Sequence, residues 1–212
     1  MSDGPSLNAA PGQSGALHVR AGSAPMILRR RSLKLYVGLV MLPPGKLPHQ
    51  LLKSLLKRLP SDAPELVTGP AVGEDTAVID NGDSFLLVTA DPITFVAGNI
   101  GWYSVVVNIN DIAVMGGIPR WFVPVILLPE VSRSVEEAEK IFTEIGGACR
   151  EFGVTVAGGH TEITPGLDRP VIAGQMIGEV EKSKFIDKNA VRPGDIIYLA
   201  GGVAVEAVDY CA

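Results

Sequence analysis

The 212 residues make about one large domain, with 47% apolar and 19% charged side chains and a formal net charge of −5. That apolar content excludes a wholly disordered chain, and the lack of a basic excess argues against a nucleic-acid partner. Two cysteines, Cys149 and Cys211, supply neither a disulfide framework nor a zinc quartet, which suits a reducing, cytoplasmic compartment.

Residues 1–25 are Ser, Gly, Ala and Pro in no period, so the expectation is a disordered leader over 1–44. Arg30, Arg31, Ser32, Leu33 and Lys34 imitate a twin-arginine export signal ahead of an apolar run. Pro43-Pro44-Gly45 follows that run with no small-x-small cleavage site, and a dispensable leader is the plainer reading. Nowhere does the sequence offer the ~18 uninterrupted apolar residues of a membrane span.

Pro48 suits the first turn of a helix that carries Leu51, Leu52, Leu55, Leu56 and Leu59 at helical spacing and ends at Pro60. Residues 76–80 and 84–90 read as strands with Asn81-Gly82 between them, a strong hairpin signal. Asn99 caps a helix running to Met115 and stopped by Gly116-Gly117. Its β-branched content also fits a strand; its length favours the helix. Residues 121–128 read as a strand in which Pro124 points to an edge or a bulge.

Ser134 and Glu137 form a capping box for the next helix. It puts Ala138, Ile141, Phe142, Ile145, Cys149 and Phe152 on one face and ends near Gly153. A short strand over 154–157, a loop over 158–166 and a strand over 171–180 follow. Residues 192–195 make a turn and 196–200 begin one more strand. Mixed helices and strands with hairpins indicate an α+β sandwich. Neither a G-x-G-x-x-G nor a P-loop motif occurs, so neither type of nucleotide site is expected.

Three aspartates stand in apolar surroundings: Asp75 before a strand, Asp91 after the run 86–90, and Asp111 inside the run 105–115. An ionised carboxylate so placed must be paired or metal-bound, and no lysine or arginine is near any of them in sequence. Hard oxygen ligands at the ends of rigid elements suit Mg²⁺ beside phosphates. Each aspartate also has a plainer reading. Asp75 fits a cap or turn, Asp91 before Pro92 an Asx turn, and Asn108 with Asp111 a polar network on one helix face. Amides at Gly158-Gly159, before His160-Thr161-Glu162, could face phosphates; a plain turn is the alternative.

Four segments occur in order: Gly73-Glu74-Asp75-Thr76-Ala77-Val78-Ile79, Thr89-Ala90-Asp91, 108–116 (N-I-N-D-I-A-V-M-G), and 158–166 (G-G-H-T-E-I-T-P-G). Together they resemble the aminoimidazole ribonucleotide (AIR) synthase superfamily, in particular its branch related to the hydrogenase maturation protein HypE. The resemblance implies a PurM-like N-terminal α+β domain over 45–188, a mixed sheet packed on helices and dimerising through the sheet. The start of a PurM-like C-terminal domain would occupy 189–212. It implies ATP bound as a Mg²⁺ complex near the dimer interface, with Asp75, Asp91 and Asp111 as metal ligands and Glu74 beside them. Asn108 would support that helix face at the nucleotide, and Gly158, Gly159, His160, Thr161 and Glu162 would line the nucleotide or substrate loop.

The resemblance implies an enzyme that activates an amide or carboxamide oxygen or phosphorylates a small acceptor, with a small molecule or a carrier protein as substrate. Two departures qualify the likeness. Several relatives carry aspartate where this chain has His160, which leaves the metal count open. Only the first strand of the second domain is present, so a truncated, catalytically idle nucleotide- or partner-binding domain is an alternative. A thiamine-monophosphate kinase-like phosphotransferase is another.

Overall fold

The computed structural model describes residues 42–94, 98–130 and 134–198, without the side chain of Ser134. The chain divides into two units, 1–45 and 46–212, and every described helix and strand lies in the second. In order these are α1 (His49–Leu56), β1 (Leu66–Thr68), β2 (Thr76–Asn81), β3 (Ser84–Ile93), α2 (Ile100–Ala113) and β4 (Ile118–Pro129). Then come α3 (Ser134–Phe152), β5 (Thr155–Val156), β6 (His160–Thr164) and β7 (Val171–Glu181). Short 3-10 turns follow at Lys182–Lys184 and Lys188–Ala190. Residues 1–41 of the expected 1–44 leader, the Ser134 cap, and residues 199–212 of the expected second-domain start, with Cys211 and the end of the 196–200 strand, lie outside what is described.

The expected α+β class is what these residues form. The mixed sheet runs β1-β2-β3-β7-β4-β5, with β6 also on β4. β5 and β6 pair β4 in parallel; the other pairs are antiparallel. Side chains alternate across each strand. Leu87 and Ile93 of β3, Phe122, Ile126 and Leu128 of β4, and Ile172, Met176 and Val180 of β7 are buried together. α2 packs across β3, β7 and β4 on this face, and α3 packs on α2. The opposite face carries Val88, Val123, Val125, Leu127, Ala173 and Ile177, all half-buried.

α2 comes unusually near the sheet because β7 offers it bare backbone. A Cβ at Gly174 would stand 2.6 Å from Asn108 Nδ2, 2.8 Å from Phe122 Cε2 and 2.9 Å from the Ser104 carbonyl. The start of α2 departs from expectation. Asn99 sits at the N-cap with φ 55° and makes no side-chain cap among the described residues. Glu144 of α3 serves instead, its Oε2 accepting from the Gly101 N–H at 2.9 Å. A carboxylate there satisfies one of the free N–H groups of the first turn and complements the helix dipole.

Several other expectations are corrected. The hairpin loop is Gly82-Asp83, one residue later, with Gly82 at φ 79°. α1 stops at Leu56, ahead of Pro60, and none of its residues is buried. β1 carried no recognised sequence signal. Pro124 lies in an interior strand, not at an edge, and the register shift in β4 is at 119–121. The Phe122 carbonyl accepts from the Ala157 N–H on the β5 side. Two residues on, the nitrogen of Pro124 faces the same side, where β5 has ended and β6 has not begun. The missing donor therefore breaks no ladder bond.

In α3, Ile141, Ile145, Ala148 and Cys149 face inward, but Phe142 and Phe152 are exposed. Phe142 lies about 100° round the helix from Ile141 and looks toward β5 and β6. Gly153, at φ 68°, ends α3, and the Val154 N–H reaches back to the Cys149 carbonyl at 2.8 Å, a Schellman close. The expected loop over 158–166 contains β6, and residues 196–198 form no strand. Among the described residues no helix is long and apolar enough to cross a membrane.

Candidate functional site

Three elements meet at one corner of the sheet: the loop before β2, the far end of β3 and the second half of α2. Thr76 and Thr89 are register partners on β2 and β3, and both are buried. The Thr76 hydroxyl donates to the Asp111 carbonyl at 3.1 Å. The Thr89 hydroxyl donates to Asp111 Oδ2 at 2.7 Å and lies 2.9 Å from the Asp75 carbonyl. One hydroxyl carries one proton, so these two acceptors share it. Thr89 thereby joins the Asp75 loop to the helix that carries Asp111.

Asp91 is two residues farther along β3. Pairing of β3 with β2 starts at Thr76–Thr89, so among the described residues no strand neighbours Asp91 on that side. Asn108 of α2 fills the place. Its Oδ1 accepts from the Asp91 N–H at 3.0 Å. Its Nδ2 donates to the Ser104 carbonyl at 2.8 Å and reaches the Asp91 carbonyl at 3.4 Å. Asn108 is completely buried. Its amide is committed to the backbone and is not offered to a ligand, so its place is as a support for Asp91.

Asp75 is exposed, while Asp91 and Asp111 are half-buried. Burial pushes the Asp111 carboxyl above the usual carboxylate range. Repulsion from Asp91 and Asp75 adds to the rise, and the Thr89 bond and Lys46 partly offset it. Among the described residues no lysine or arginine forms an ion pair with any of the three. Nor do any three His, Cys, Asp or Glu side chains there gather tightly enough to hold a metal ion by themselves. The corner is acidic, short of counter-charge and incomplete as a cage.

Glu74 stands apart from this set. Its Oε2 is 2.8 Å from Lys188 Nζ, so its charge is already met.

His160, Thr161 and Glu162 lie on β6, exposed, and away from the aspartates. His160 Nε2 is 3.1 Å from Glu162 Oε2, and the Thr164 hydroxyl donates to Glu162 Oε1 at 2.8 Å. The Thr164 bond first, then the His160 bond, hold Glu162 below the usual carboxylate range. In register His160 opposes Val125 and Glu162 opposes Leu127, which puts both on the sheet face turned from α2. Asp91 is three strands away, about 14 Å at one strand spacing each, and on the other face. Gly159 is explained by packing: at φ 146° its Cβ would strike the Pro124 carbonyl at 2.5 Å. Gly158 and Gly159 border a cleft between α3 and β4–β6 lined also by Phe142, Ile145 and Val156.

The sequence reading missed Thr76, Thr89 and Lys188. The threonines sit at buried positions of alternating strands, which is the one signal that could have singled them out.

Residues 73–180 match the family model described as AIR synthase related protein, N-terminal domain. That span includes every candidate site residue named above except Lys188. A hydrogenase expression/formation protein of Methanocaldococcus jannaschii is 32% identical over 165 residues, 75% of this chain and 49% of that protein. A thiamine-monophosphate kinase of Aquifex aeolicus is 26% identical over 138 residues, 61% of this chain and 43% of that protein. The solved structure of AaThiL complexed with AMPPCP and TMP shares the fold, with a TM-score of 0.53 at 24% identity over 68% of this chain and 43% of that one. The chain thus spans about half the length of the proteins it matches.

Proposed function

The chain belongs to the AIR synthase related protein family through its N-terminal domain, and on that premise we propose that it binds Mg·ATP at the corner made by Asp75, Asp91 and Asp111. The ATP would activate an amide or carboxamide oxygen or phosphorylate a small acceptor in the cytoplasm, with a small molecule or a carrier protein as substrate. The observation that supports this most directly is the half-buried Asp111 carboxylate, bonded to Thr89 and near Asp91 and Asp75, at a place where no lysine or arginine among the described residues pairs with it.

The donor set fits the ion. Mg²⁺ takes hard oxygens, keeps several waters, and is usually held by one or two carboxylates together with substrate phosphates. A corner too open to enclose a metal alone leaves room for those phosphates. When bound, the ion would neutralise and align the phosphoryl group. The protein's own part is placement. Asn108 fixes the Asp91 backbone, and Thr89 and Thr76 tie Asp111 to the strands. The name of one relative, a thiamine-monophosphate kinase, supports phosphoryl chemistry without choosing the acceptor.

Titration calorimetry tests the reading. ATP should bind with Mg²⁺ present and lose most of its affinity in excess chelator. Equal binding in both conditions, or none in either, would overturn the site. Single-turnover assays with ATP then separate a working enzyme from an idle binding domain.

The proposal extends to a homodimer formed through the sheet face that carries Val88, Val123, Val125, Leu127, Ala173 and Ile177. That face is largely apolar around the exposed Gln175, apolar surface of this kind is a mark of an interface, and His160 and Glu162 share it. Light scattering should return twice the chain mass of 22.3 kDa; a monodisperse monomer at high concentration removes the dimer.

A further inference from the structure

The segment after β7 runs along the β2–β3 side of the sheet and is fastened at successive points. Lys182 Nζ pairs with Asp80 Oδ2 at 2.7 Å and stands 5.2 Å from the centre of the Phe85 ring. The Phe185 ring meets Phe85 edge-on at 5.1 Å. The Ile186 N–H donates to the Met115 carbonyl at 3.1 Å. Gly116 leaves room for this strap, since a Cβ there would lie 2.5 Å from the Lys184 carbonyl. Asp187 then caps the short 3-10 turn Lys188–Ala190 by accepting from the Asn189 N–H at 2.8 Å.

The strap ends on the acidic loop. Lys188 Nζ donates to the Gly73 carbonyl, 115 residues away in sequence, and pairs with Glu74 Oε2 at 2.8 Å. Gly73 has φ 87°, and the loop's own backbone bond is a 3.2 Å contact from the Glu74 N–H to the Ala71 carbonyl. The loop therefore rests on two outside supports. Thr89 reaches the Asp75 carbonyl from β3, and Lys188 holds Gly73 and Glu74 from the strap.

We propose that Lys188 is a positioning residue for the acidic corner, fixing the 73–75 loop so that Asp75 faces Asp91 and Asp111. The assignment rests on the Mg·ATP reading above and adds a residue to it. Lys188 acts through Gly73 and Glu74 and touches neither metal nor nucleotide. Its removal also makes a prediction of opposite sign to simple charge balance. Loss of a nearby positive charge by itself tightens a divalent cation, whereas loss of the loop's support weakens it.

The test compares the full chain with Lys188→Ala and Lys188→Arg. In hydrogen exchange without ligand, amides 73–76 should exchange about tenfold faster in Lys188→Ala, the scale expected for one lost charge-assisted bond. Mn²⁺ binding followed by electron paramagnetic resonance should weaken several-fold, and Lys188→Arg should restore both. Glu74→Gln should give a smaller version of the same change and add little to Lys188→Ala, because the two act as one unit. Unchanged exchange, or tighter Mn²⁺ binding in Lys188→Ala, overturns the assignment. A wild-type chain that binds no Mn²⁺ removes the metal site instead, and the exchange result still decides Lys188.

Discussion

Asp111→Asn should lower Mg·ATP affinity about tenfold or more, equivalent to about 1.4 kcal/mol, while making the free protein melt higher at neutral pH. Both effects come from one cause. Burial and the neighbouring Asp91 and Asp75 charges raise the Asp111 carboxyl, so ionisation is less favourable in the folded state than in the unfolded chain. A group with a raised folded pKa contributes stability below its unfolded value and loses it as pH rises through the folded value. At neutral pH the ionised Asp111 therefore opposes folding, and asparagine relieves that without losing the Thr89 hydroxyl as a donor. The ligand reverses the balance, because the same charge that strains the free protein attracts the cation. Calorimetric titration measures the first effect. Melting curves without divalent cation, from neutral pH down to about pH 3, measure the second, and the gain should vanish in acid where aspartate is protonated. Unchanged affinity sinks the ligand role; a variant that melts lower at neutral pH sinks the repulsion.

Gly174→Ala should destabilise the fold by about 1–3 kcal/mol or more, the usual cost of overpacking, and lower the melting temperature by several degrees. The added methyl would meet Asn108, the Phe122 ring and the Ser104 carbonyl, all under 3.0 Å. The aromatic ring and the helix backbone cannot both retreat, so α2 must lift from β7. Asn108 is among the displaced atoms, and through it the clamp on Asp91, so Mg·ATP binding should weaken as well. Gly147 is a control within α3: nothing lies within 4 Å of its Cβ position. Gly147→Ala should be neutral or stabilising by about 0.5–1 kcal/mol from helix propensity. Thermal melts of the two variants side by side decide the matter, and equal stability would mean that the close seat of α2 is not needed.

The acidic corner was legible in sequence because an aspartate inside an apolar run needs an explanation, whatever the fold. Its supports were not. Spacing of Asn108 and Asp111 shows that they share a helix face, but only the packing of α2 on β3 shows that Asn108 meets a strand backbone. Thr76 and Thr89 become a pair only once the register of the hairpin is known. The stretch 160–164 lacks the period of two that marks a half-buried strand, since it lies exposed along β4; it therefore read as a loop. Phe142 was assigned inward because apolar periodicity fixes a stripe and not its width. The α+β class was easier: a glycine-centred turn, a long helix between glycines and alternating strands each signal locally.

The Glu144 carboxylate at the start of α2 has a consequence for assembly. The bond to Gly101 closes a span of 43 residues, so among the described residues the side-chain cap on the helix bearing Asn108 and Asp111 comes from far along the chain. A nascent chain that has emerged only as far as Ala113 lacks the carboxylate that caps the helix's first turn, and loop closure over such a span precedes any reward from the contact. Synthesis must therefore pass α3 before this cap can form, and the final seating of the helix that carries Asp111 belongs to the later stages of folding.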